Sequence, residues 1–171
     1  MQNQRSQLIG RSAPKRCFET LCGKNNNMKQ DYQIWNTLHD GALTRLWESA
    51  PNQIVIQVEI EYLANRLKGN YNNIFVKLNN CTLFEYEQHW SKNDIRHYSS
   101  VKELEGISPG LMALSCDEES DHLRINDICG VIKTRYDSAE LTLENGDPLS
   151  FKELDKVAEE YWNDFKNKKH T

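Results

Sequence analysis

The 171-residue chain has no apolar run near the roughly 18 residues that a membrane-spanning helix needs, so a membrane is not among its expected partners. It lacks a glycine-rich phosphate loop, a nucleophile elbow and a kinase signature, which leaves no motif-level case for nucleotide binding or serine-type hydrolysis and no expected cofactor. Cysteine is sparse and unpatterned. Cys17, Cys22, Cys81, Cys116 and Cys129 are odd in number and irregular in spacing, which argues against a disulfide framework and makes free thiols in a reducing, cytoplasmic setting the simpler reading. Cys17 and Cys22 have no second ligand pair to complete a tetrahedral zinc site, so no metal is expected there.

What is present is enough for one domain. A chain of this length buries about 70% of its unfolded surface and holds a core without metal or disulfide support. The charge is uneven. Residues 1–27 carry five basic residues against Glu19 alone, a balance of +4, which leaves −8 on residues 28–171 of a chain whose net charge is −4. Such a field repels phosphate backbones, so nucleic acid is not an expected partner, and it attracts a basic protein. The polar, acid-poor segment 1–27 ends in Gly23-Lys24-Asn25-Asn26-Asn27 and reads as a disordered leader or as sequence upstream of a start at Met28. Residues 28–171 read as a single β-rich domain.

From Tyr32 onward the hydrophobic period is two. Tyr32 to Leu38 and Ala42 to Glu48 flank His39-Asp40-Gly41 and suggest a first hairpin, with Gly41 supplying a positive φ. Ile54 to Tyr62 alternates most clearly, a helical turn fits Leu63 to Lys68, and Ile74, Val76 and Leu78 resume the alternation. Further strands fit Cys81 to Glu87, Leu111 to Cys116, His122 to Ile128, Val131 to Tyr136 and Ala139 to Leu143, with Asp117 to Asp121 as a polar turn and Gly130 as a bulge or bend. The polar stretch from His89 to Ile107 offers only a short helix around Val101 to Leu104. At the end, Ser150 and Glu153 form an S-x-x-E capping box. Phe151, Leu154, Ala158, Tyr161, Trp162 and Phe165 then recur at helical spacing. The fold class is therefore α+β and mostly antiparallel β, a meander sheet or partly closed barrel covered by one C-terminal amphipathic helix.

Chemistry is harder to find. His39-Asp40 invites comparison with metal-dependent phosphohydrolases, but its turn context and the absence of H-x-x-x-H spacing among His89, His97, His122 and His170 favour a local hydrogen bond over a metal site. The acidic run Asp117 to Asp121 lacks the spacing of a calcium loop. Cys81 and Cys129 sit in strand-like surroundings where a thiol is inert, and Cys116 lies in an acidic setting that dulls it. Among the tryptophans, Trp35 and Trp162 read as core, while Trp90 follows a polar stretch and reads as surface. The candidate binding residues are His39, Asp40 and Trp90.

Trp35-Asn36-Thr37-Leu38-His39-Asp40-Gly41, the strand from Val55 to Leu63 and the closing Leu154-x6-Tyr161-Trp162-x2-Phe165 resemble a group of small bacterial proteins that open with Leu-His-Asp-Gly. That resemblance implies a compact domain beginning near Met28 and brings no established activity with it. The expected function is a non-enzymatic protein-binding domain for a basic partner, an immunity-type protein being one form. The alternative is a small-ligand-binding or hydrolytic enzyme with a pocket near His39 and Asp40.

Overall fold

The structure, a computed structural model, describes residues 32–67, 69–91, 93–104, 111–118, 122–127 and 129–168, with the backbone alone at 90, 111–118, 127 and 168. The basic segment 1–27 lies outside the described residues.

Residues 32–37 form a helix, α1, where the alternation had suggested a strand. Ile34, Trp35 and Leu38 are all buried, and their i, i+1, i+4 spacing lies on one helical face. The Leu38 N–H donates to the Ile34 carbonyl at 3.1 Å. In a window of seven residues the apolar positions fit either period, and burial against the core decides. The first hairpin is instead β1 (Ala42–Ala50) with β2 (Gln53–Glu59), paired Leu43 to Val58 and Leu46 to Ile56 across a turn in which Asn52 takes φ 59°.

Helix α2 (Glu61–Ala64) starts two residues ahead of the expected helical turn and overlaps it at Leu63 and Ala64, so Glu61 and Tyr62 are helix where a strand was expected; β3 (Asn73–Asn79) buries Ile74, Val76 and Leu78. Strand β4 (Leu83–Ser91) runs on into β5 (Asp94–Tyr98), which the sequence reading missed, and then a 3₁₀ turn at Val101–Leu104. Strands β6 (Leu111–Glu118), β7 (Leu123–Asp127), β8 (Gly130–Arg135) and β9 (Ser138–Leu143) follow. Asp117 and Glu118 thus belong to a strand and not to a turn. The two-residue β10 (Pro148–Leu149) precedes the long helix α3 (Phe151–Lys168).

The fold is α+β. Every strand pair is antiparallel, in the order β10-β9-β3-β2-β1-β6-β7-β8-β4-β5. Two sheets meet at a short junction, Ala42 to Met112 and Leu43 to Leu111. The order is open at β10 and β5, so no barrel closes. One continuous core joins both sheets: Ile56, Val76 and Leu78 from the first share it with Phe84, Ile125 and Ile132 from the second. Trp35 and Leu154 complete it from the helices.

Candidate functional site

Helix α3 brings the site together. Its capping box forms as the sequence suggests, with the Glu153 N–H donating to Ser150 Oγ at 3.2 Å and the Ser150 N–H donating to Glu153 Oε2 at 3.1 Å. Leu154 and Ala158 are buried, but the stripe emerges toward its end: Trp162 is half-buried, not core, and Phe165 is 41% exposed. Those last turns pack on α2 and on the loop after α1. Tyr161 lies over Tyr62 with ring centres 4.3 Å apart, and Arg66 pairs with Asp164 at 3.0 Å while its guanidinium stands 5.3 Å from the centre of the Tyr161 ring.

His39 stacks on Trp162, centres 5.6 Å apart and planes 21° from parallel. Its Nδ1–H donates to the Asn36 carbonyl at 2.8 Å, and Nε2 lies 3.3 Å from Asp40 Oδ2. Both ring nitrogens are therefore engaged locally, which leaves the imidazole as an aromatic and hydrogen-bonding surface more than as a free base. Asp40 also faces Tyr62. Burial, and next the Asp40 charge, push the Tyr62 phenol above its ordinary range.

Between α1 and α3 this geometry opens a cleft of about 630 Å³. Asn36, Thr37 and His39 line it from α1 and the loop after it, and Phe151, Ala158 and Trp162 from α3. Asp155, Glu159 and Lys166 of α3 also line it. The sequence reading named His39 but missed its neighbours, because α1 had been taken for a strand and the cleft exists only where a helix at residues 32–37 meets one more than a hundred residues later. Gly41, next to the site, does not take a positive φ. A Cβ there would lie 2.5 Å from Val58 Cγ1 and 3.1 Å from the Leu38 carbonyl oxygen, so the need for glycine is space and not turn geometry.

Trp90 lies in β4, and its side chain is outside the described residues; no residue of β4 lines the cleft. A second cleft, about 440 Å³, lies along β4, β5 and β8 beside Tyr86, Tyr98 and Lys133. There the Glu87 carboxylate accepts from His89 Nε2 at 2.7 Å and stands 3.7 Å from His97 Nδ1. The His89 bond holds Glu87 below the usual carboxylate range, with His97 and Lys133 adding to it. Cys81 is buried and accepts none of this chemistry: burial pushes its thiol up, and it contacts Thr134 Oγ1 and the Leu83 carbonyl. Among the described residues no group of three or more His, Cys, Asp or Glu is placed to hold a metal ion, and no helix is long and apolar enough to cross a membrane. No known protein family, no curated protein and no solved structure matches the chain.

Proposed function

We propose that this is a non-enzymatic, cytoplasmic bacterial protein-binding domain whose α1–α3 cleft receives a basic segment of a partner, an immunity-type protein for a basic toxin being the concrete form. The observation that carries this reading is the composition of the cleft: aromatic Phe151 and Trp162 line it together with the carboxylates Asp155 and Glu159, against the single lysine Lys166, on a stretch of chain with a balance of −8. Half-exposed aromatics supply contact area at low entropic cost, and the surrounding negative field steers a cation toward them.

Basic proteins encoded beside the gene are the natural probes, each titrated by calorimetry at about 50 and about 300 mM salt. The expected result is one tight complex that weakens with salt, and a double variant, Asp155→Lys with Glu159→Lys, that binds at least about tenfold more weakly with an unchanged unfolding midpoint. Failure of every such protein to bind, or full binding by the double variant, overturns the proposal.

A second reading, a small-ligand or hydrolytic pocket, draws on the His39–Asp40 pair, of which His39 lines the cleft. It expects His39→Ala to abolish a turnover that the charge reversal on α3 spares.

A further inference from the structure

Strand β5 (Asp94–Tyr98) ends the strand order, and all but Tyr98 of its five residues are exposed. The direction of its main-chain groups follows from its neighbour. The His89 N–H donates to the Cys129 carbonyl at 2.6 Å, on the β8 side of β4, so the main-chain groups of His89 point away from β5. Ile95 stands opposite His89, which makes them a non-hydrogen-bonded pair. The N–H and C=O of Ile95 therefore point to the open side of the sheet, and those of His97, two residues on, do the same. Ile95 is also 47% exposed, a large apolar side chain in water beside main-chain groups that no described strand pairs.

The flanking charges are matched about this residue. Asp94 and Arg96 share the opposite face, 3.6 Å apart, and their side chains are more than half exposed. A twofold axis normal to the sheet must pass midway between a residue of β5 and its own copy, since paired residues share a face. Centred on Arg96 it would set arginine against arginine, and centred on Asp94 aspartate against aspartate. Centred on Ile95 it sets Ile95 against its own copy, with Asp94 of each chain opposite Arg96 of the other and the outward amides of Ile95 exchanging two hydrogen bonds.

We propose that β5 is a self-association edge, through which two copies of this chain pair antiparallel about Ile95 into one continuous sheet. Short, charged edge strands also serve to prevent pairing. The argument for pairing here is that the charges are complementary in the one register that also brings the exposed isoleucines together. The contact is small, so the dimer is weak, with a dissociation constant between roughly 1 µM and 1 mM.

Sedimentation equilibrium on the full chain tests it, together with the variants Asp94→Arg and Arg96→Asp, both at exposed positions. Each variant alone brings like charges together across the pair and should raise the dissociation constant at least about tenfold. An equimolar mixture of the two variants restores both opposite-charge contacts and should dimerise as the unmodified chain does. A chain that stays monomeric up to about 1 mM overturns the proposal, as does a mixture that fails to recover association.

Discussion

Gly41 follows the His39–Asp40 pair where the chain enters β1, and its backbone passes so close to Val58 that a single Cβ has no room. Gly41→Val should therefore destabilise the domain by several kcal/mol, in the range of about 1 to 3 for overpacking and more if β1 and β2 must separate. Chemical denaturation measures this, and an unchanged midpoint would show that Val58 yields freely. Glu144 makes a different kind of residue-scale prediction. Its Oε1 accepts from the Asn73 side chain at 2.8 Å and from the Asn72 and Asn73 amides at 2.7 and 2.6 Å. The Asn73 side chain, then the Asn72 amide, lowers its pKa, so its contribution is present above the unfolded carboxylate range and is lost as pH falls through the folded value. Glu144→Gln should be less stable than the parent at neutral pH, with a gap that closes as pH drops below about 4. A gap independent of pH would place the effect in packing instead of charge.

At the scale of elements, α3 shows what a sequence can reveal and what it cannot. Ser150 and Glu153 mark its start through local bonds alone, and the three- and four-residue recurrence from Phe151 to Phe165 gives its length. The depth to which each stripe position sinks depends on α2 and α1, which no local pattern reports. Leu154 is fully buried and Trp162 only half. Leu154→Ala should thus cost about 2 to 5 kcal/mol, Trp162→Ala roughly half the 3 to 5 of a core tryptophan, and Asn163→Ala less than about 0.5. A larger loss for Trp162→Ala than for Leu154→Ala would return the indole to the core. Two of the misread elements, α1 and β5, have different causes. In 32–38 both periods fit too few residues, and in β5 the sequence DIRHY buries only Tyr98, and that in part, which is too little to show an apolar face. The cleft was hidden for the same reason as α1, whereas β3, with a clean alternation, and the apolar runs of β2, β8 and β9 were legible as strands.

Over the whole molecule the question is whether two sheets joined by so little main chain behave as one body. The junction is two residue pairs between β1 and β6, far less than the six that join β2 to β3 or β4 to β8. Main-chain bonding alone would let the halves open separately. The side chains argue otherwise, since Ile56, Val76 and Leu78 on one sheet and Phe84, Tyr86, Ile125 and Ile132 on the other belong to a single buried cluster, with Val101 and Leu104 of the 3₁₀ turn wedged into it. Each fully buried aliphatic side chain contributes about 1.5 to 3 kcal/mol, so separating the sheets would expose more than the roughly 5 to 15 kcal/mol that a domain holds in reserve. Neither sheet has a second core to fall back on among the described residues. Unfolding should therefore be cooperative across the junction, and native-state hydrogen exchange reads it directly. The amides of Val76 in β3 and Ile132 in β8 should exchange through the same global opening, with free energies equal within about 1 kcal/mol and equal denaturant slopes. A β8 that opened at a free energy lower by several kcal/mol would mean that β6 to β8 with β4 and β5 form a separate unit, and that the shared cluster couples the sheets less than its burial implies.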